Sequence, residues 1–371
     1  MRLQHRSTLS NRIVALRLCV LSLCLVALSP GATARGATLE TKGHAFLLDG
    51  RPFDLWGIRT ASASQSEELT DHLIAQLDDY RDHGVDTVTV FYMGSSGGSS
   101  DPFTPDGRGV DPGHGRRMVR VIEECDRRGT VVIVGVFYQN VAKPRLKDWE
   151  ASKTAVRTVA AALKPYRNVI VNVANEQNSA AYRRLPWSRV NDPDDVLDLC
   201  RIVTSVDPDR IVGAGGYDHE KNEVIGRSKD VNVLLFDTAG PEPSSGRLYE
   251  RFLAAGIKDK PVVNVETFGG WTKRFRPQGV FPDEAKRAYR REVDDAARHE
   301  GLYVAFHNNP WCQASGSGEK IRYDLGGRGS QDDPGIRWYF EYVKARRDAP
   351  QRPAADEDEA AGENRPTRRA K

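Results

Sequence analysis

One pattern restricts this chain more than any other. Short apolar runs, rich in β-branched residues, alternate with longer stretches that are apolar on one face only. The runs are Phe53–Ile58, Val85–Phe91, Val131–Phe137, Val169–Val173, Arg210–Ala214, Val231–Phe236, Pro261–Val265 and Leu302–Phe306. Helical spacing is found in Glu67–Arg81, Gly115–Arg128, Ser152–Leu163, Asp194–Ser205, Glu220–Ser228, Arg247–Ala255, Pro282–His299 and Gly335–Arg346. A strand that is apolar along its whole length is buried on both faces, as in a parallel sheet covered by helices. Eight such units over roughly 290 residues match one (β/α)8, or TIM, barrel. An open doubly wound sheet is the competitor. However, Trp56-Gly57-Ile58-Arg59-Thr60, at the end of the first run, carries no Gly-rich phosphate fingerprint. The expected fold class is α/β, a TIM barrel with a short N-terminal β-hairpin over His44–Leu55, turned at Asp49-Gly50.

The two ends of the chain read differently from the barrel. Arg2, Arg6, Arg12 and Arg17 precede an apolar run, Leu18–Leu28, and then Ala32-Thr33-Ala34. This order is that of a cleaved export signal, so residues 1–34 are expected to be removed and the protein to be secreted or periplasmic. The leader holds four arginines and no acid, so the formal charge falls from +3 for the whole chain to −1 from Arg35 onward. A nearly neutral chain gives no electrostatic reason to expect nucleic acid. Beyond the leader only Cys125, Cys200 and Cys312 remain, an odd number with no CxxC. That excludes a disulfide scaffold and leaves at least one thiol free. Residues 348–371 carry three prolines, the run Asp356-Glu357-Asp358-Glu359 and no apolar residue larger than alanine. They are expected to be a disordered charged tail, leaving 35–347 as one catalytic-sized domain.

In a (β/α)8 barrel the strands' C-terminal ends converge on one mouth, where chemistry is done. After the fourth strand the sequence runs Ala174-Asn175-Glu176-Gln177, and after the seventh Val265-Glu266-Thr267-Phe268. Each of these strands runs out in a glutamate within two residues of its apolar run, and such a placement is costly unless the mouth uses the charge. Two facing carboxylates suit glycosidic cleavage, in which one holds a proton for the leaving oxygen and the other stays ionised.

These residues resemble the clan of retaining (β/α)8 glycoside hydrolases that includes the family-5 cellulases. The opening Phe46-Leu47-Leu48-Asp49-Gly50-Arg51-Pro52-Phe53 is also similar to the start of those catalytic domains, and the resemblance runs from about Phe46 to Tyr342. It implies that Glu176 is the acid/base, Glu266 the nucleophile, and Asn175 a donor or acceptor to the sugar 2-hydroxyl. The chain departs from the family at three strand ends. It has Thr89-Val90-Phe91-Tyr92 where an arginine is usual, Val136-Phe137-Tyr138-Gln139 where a histidine is usual, and Phe236-Asp237-Thr238 where a His-X-Tyr is usual. Replacements at the mouth are Arg59, Tyr138, Asp237 and His307, the last followed by Asn308 and Asn309. Trp271 and Trp311 are candidate sugar platforms, as is Trp187, with core packing the alternative for each.

The long segment Tyr92–His114 reads as a mouth loop. There is no HExxH, no Cys/His cluster and no GxSxG, so no metal and no cofactor is expected. The expected partner is a poly- or oligosaccharide. No membrane association after leader removal is expected, and neither is a second subunit. Two other readings stay open: a carbohydrate-binding barrel without catalysis, and a barrel isomerase or lyase using Glu266 as a base.

Overall fold

The structure, a computed structural model, describes residues 36–94, 101–141, 143–268, 279–309, 311–312 and 320–348. The leader read in residues 1–34, Trp271 and the tail past Asp348 lie outside the described residues. Asp348 itself ends the last helix.

Leu39–Lys42 (β1), Ala45–Leu48 (β2) and Arg51–Phe53 (β3) form a small antiparallel sheet, one strand more than the hairpin expected. Asp49 and Gly50 have φ of 52° and 74°, the left-handed pair that a two-residue hairpin turn needs. Phe53 belongs to this sheet, so the first barrel strand starts at Trp56.

The barrel strands are Trp56–Arg59 (β4), Thr87–Phe91 (β5), Val131–Phe137 (β6), Val169–Ala174 (β7), Ile211–Gly213 (β8), Leu234–Asp237 (β9), Val262–Glu266 (β10) and Leu302–Phe306 (β11). All pair in parallel, in the order β8-β7-β6-β5-β4-β11-β10-β9. The two ends of this ladder meet. Backbone N–H groups of Asn232, Leu235 and Asp237 donate to the carbonyls of Val212, Ala214 and Gly216 at 3.1, 3.3 and 3.1 Å. Gly213 and Gly215 lie on that seam, where a Cβ would collide with the carbonyl of Val233 or Leu235.

A helix follows each barrel strand: Glu67–Asp82 (α1), Pro112–Asp126 (α2), Trp149–Leu163 (α3), Pro193–Val206 (α4), His219–Arg227 (α5), Ser245–Ala254 (α6), Asp283–Arg298 (α7) and Arg337–Asp348 (α8). The first six begin on a Ser or Asp whose side chain accepts a backbone N–H of the first turn: Ser66, Asp111, Asp148, Asp192, Asp218 and Ser244.

Strand alternation sorts the apolar residues into two cores. On β6, Val132, Val134 and Val136 face the helices, while Val131 and Ile133 face the barrel axis. The axial core holds Ile170, Ile211, Val233, Val263 and Tyr303, mostly from the N-terminal ends of their strands, together with Leu39 and Phe46 of the small sheet. Phe46 is fully buried, with its ring 5.0 Å from that of Tyr303. The small sheet thus plugs the barrel floor.

Candidate active site

At the other end the axial residues change character. Continuing each inward phase upward leads from Gly57 to Arg59, from Val233 and Leu235 to Asp237, and from Tyr303 and Ala305 to His307. Alternation alone would not bring Glu266 inward, because Val263 and Val265 already point to the axis. A bulge corrects this. Asn264 pairs with Phe236 and Glu266 with Asp237, so two steps on β10 oppose one on β9. Asn264 holds the bulge. Its Oδ1 accepts the Glu266 N–H at 3.1 Å, and its amide donates to Thr238 Oγ1 at 3.2 Å and Ser245 Oγ at 2.8 Å.

Glu266 is buried between two nitrogen groups. Arg59 Nε stands 3.4 Å from Oε2 and His307 Nδ1 stands 3.1 Å from Oε1, where only a protonated Nδ1 can bond a carboxylate. Arg59 is itself fully buried. Its Nη2 donates to Asn175 Oδ1 at 3.0 Å, and its guanidinium lies 4.9 Å over the Phe91 ring. Phe91 is seated there because Gly135 has no Cβ to collide with its ring.

Glu176 follows β7 and has a positive φ of 42°. Phe268, two residues after Glu266, has one of 69°. Strained non-glycine backbone concentrates at functional sites, and here it brackets both glutamates. Gln139 donates to Glu176 Oε2 and accepts from Asn175 Nδ2 at 3.0 Å, tying the two residues together. Tyr182 Oη fixes Asn175 from below by donating to its carbonyl at 2.9 Å.

The electrostatics separate the two glutamates. Burial, then repulsion from Glu266 and Asp237, holds the proton on Glu176 well above the ordinary carboxyl range; Arg59 and Gln139 oppose this more weakly. Burial would also raise Glu266, but Arg59 and His307 overrule it and keep that carboxylate ionised below the ordinary range. Asp237 is pushed well up, by burial and then by Glu266. Three carboxyls thus share one guanidinium, and the proton preferences differ as general acid and nucleophile require.

Of the residues singled out from sequence, Glu176, Glu266, Arg59, Asn175, Asp237 and His307 come together here. Tyr138 is buried edge-on to Phe91, with ring centroids 5.6 Å apart, and within electrostatic reach of Arg59. Trp311 is 2% exposed and packs against Gly279 and Gly326, with the Arg322 guanidinium 5.0 Å over its ring. Trp187 is wholly buried against Phe137 and Tyr182, so its place is in the core. The Tyr92–His114 loop is pinned near its middle. Asp101 accepts backbone N–H groups of Phe103, Arg145 and Leu146 at 2.9, 2.7 and 3.1 Å.

Two residues escaped the sequence reading. Gln139 closes the Val136-Phe137-Tyr138-Gln139 stretch, where the family resemblance points only to a usual histidine. Tyr217, in Gly215-Gly216-Tyr217 after β8, is 40% exposed beside Glu176. Its N–H donates to Asn178 Oδ1 at 3.0 Å. The neighbouring Gly216 allows this approach, since a Cβ there would stand 3.2 Å from Glu176 Cα.

No family model matches the sequence, and no curated protein does. Solved structures do match the fold. A glycoside hydrolase family 5 protein from Bacteroides vulgatus superposes with a TM-score of 0.56 at 13% identity, over 78% of this chain and 65% of that one. The chain therefore spans less than two thirds of that neighbour. GH5_18 from Streptomyces cattleya in complex with GlcNAc matches with a TM-score of 0.56 at 17% identity over 79% of each chain. An endo-1,4-beta-mannanase from Eisenia fetida matches with 0.54 at 13% identity, over 83% of this chain and 95% of that one. Family-5 (β/α)8 enzymes, mannanases among them, are thus structural neighbours, as the sequence resemblance implied. At these identities the likeness is one of fold.

Proposed function

We propose that this chain is a glycoside hydrolase that cleaves a poly- or oligosaccharide with retention of configuration. The observation that carries the reading is the placement of Glu176 and Glu266 at the ends of β7 and β10 in unlike surroundings, Glu266 between Arg59 and His307 and Glu176 against the neutral amide of Gln139. In this mechanism the ionised Glu266 attacks the anomeric carbon while Glu176 gives its proton to the leaving oxygen. A glycosyl ester on Glu266 results. Glu176, now ionised, takes a proton from water, which attacks the ester and frees the sugar. Arg59 and His307 keep Glu266 ionised and aimed. Asn175, held by Arg59 and Gln139, presents its amide to the glycone.

Residues 1–34 are, in this reading, an export leader, so protein recovered outside the cytoplasm begins at Arg35. The fold neighbours named as glycoside hydrolases support the reading, as does the family resemblance of the two glutamates. The test is covalent trapping with 2,4-dinitrophenyl 2-deoxy-2-fluoro-β-glycosides of glucose, mannose, galactose and xylose. At least one should add its glycosyl mass to the protein, with the label mapping to Glu266. A label on another residue overturns the assignment. Saturable binding of oligosaccharides, with no label and no hydrolysis, would make the chain a carbohydrate-binding barrel instead.

A further inference from the structure

Once Glu176, Glu266, Arg59 and His307 have tasks, one carboxyl among the described residues of the mouth has none. Asp237 closes β9 and is the register partner of Glu266. It is 2% exposed, and its Oδ1 meets no hydrogen-bond partner among the described residues. Two groups beside it are turned to other partners. Arg59 turns its Nη2 to Asn175 and its Nε to Glu266. The neighbouring Thr238 Oγ1 accepts from Asn264 Nδ2 and from the Phe268 N–H. A buried carboxyl oxygen without a partner is destabilising, and one use for such a group is to be completed by a ligand.

The charges that face Asp237 are Glu266 on β10, Glu176 after β7 and Arg59 on β4. Two of these three are carboxyls, so adding a proton relieves the repulsion. A protonated carboxyl offers one O–H donor and one carbonyl acceptor, the complement of a sugar hydroxyl.

We propose that Asp237 hydrogen-bonds one hydroxyl of the sugar attacked by Glu266, and so decides which glycone the pocket accepts. This rests on the retaining-glycosidase reading above. Asp237 takes no part in bond breaking. Its effect is that of a buried polar group that rejects analogues lacking its partner.

The test uses Asp237→Asn and Asp237→Leu in the full chain. Trapping first identifies a glycone that labels wild-type Glu266. Then kcat/KM is measured for aryl glycosides of that sugar, the parent compound and its 3-, 4- and 6-deoxyfluoro analogues. In the wild type, fluorine at one position should cost at least roughly tenfold more than at the others. Asp237→Asn keeps a donor and an acceptor and should keep that preference. Asp237→Leu should lose at least roughly tenfold on the parent and treat all positions alike. It should also raise Tm, because it removes an unpartnered polar group, whereas loss of a merely structural residue lowers Tm. An unchanged positional preference in Asp237→Leu, or a lowered Tm with a uniform loss of rate, overturns the proposal. Failure of every probe to label the wild type overturns the glycosidase reading itself, and the two failures are told apart at the first step.

Discussion

The floor and the mouth of this barrel are built from the same strands by the same alternation, yet they are opposite environments. At the floor the axis is filled by Val131, Ile133, Ile170, Ile211, Val263 and Tyr303, closed beneath by Leu39 and Phe46. At the mouth, a few residues further along, the axis holds Arg59, Asp237, Glu266 and His307, all buried. The floor gains stability from apolar area removed from water. The mouth forgoes that gain and sets buried charges against one another, one guanidinium among three carboxyls. The lesson is a division of labour along the axis: packing at one end holds geometry that electrostatics at the other end would not hold alone.

If the division is real, substitutions at one end should leave the other end's property untouched. The largest effect belongs to Glu266→Gln. It should abolish measurable turnover, a loss on the order of 10⁶-fold as for other covalent nucleophiles, while the circular dichroism spectrum stays that of the wild type. Next is Phe46→Ala at the floor. It should cost about 3–5 kcal/mol of unfolding free energy in a urea titration, yet leave the pH profile of the folded enzyme unmoved. A shifted profile would break the comparison. Tyr217→Ala should lower kcat/KM roughly three- to tenfold on aryl glycosides, the scale of one ring-stacking contact. It should change little on a glycosyl fluoride, whose leaving group has no ring. Equal losses on both would remove Tyr217 from the leaving-group side.

The smallest effect is a shift of one pH limb. Glu176 works protonated, so activity falls as pH rises through its raised pKa. Gln139 stabilises the charged form, so Gln139→Leu should move that basic limb to higher pH, read from kcat/KM against pH. Stability has the opposite dependence at Glu266. Its folded pKa is depressed, so its contribution is present above the ordinary carboxyl value and is lost as pH falls toward the folded one. A chemical-denaturation series on the acid side measures this.

Much of the fold could be read in the sequence because its signals are local. Val131–Phe137 and Leu302–Phe306 are strands over those same residues, and Asp49-Gly50 is the hairpin turn. Apolar spacing by itself places helix starts too late where a cap lies upstream of it. The spacing begins α2 at Gly115 and α3 at Ser152, but Asp111 before Pro112, and Asp148, start them three residues earlier. In the site, Glu176, Glu266, Arg59 and His307 stood out as charged or titratable residues directly after strands. Gln139 did not, since a neutral amide in a loop has no signature until its two partners are seen. The bulge in β10 left no trace either, because Val-Asn-Val-Glu reads as plain alternation.

That bulge has a consequence for how such a protein varies. A strand carries its side chains in two interleaved channels, one inward and one outward, and the bulge is the point where β10 changes channel. Every residue beyond it is therefore read one step out of phase with the residues before it. Flattening the bulge with every residue kept would turn the Glu266 carboxylate toward the helices, with every catalytic side chain still encoded, whereas deleting Val265 would leave it inward by plain alternation. In this barrel the spacing of the chain is as much a part of the chemistry as the identity of its acids, and a scan made of substitutions alone would pass over it.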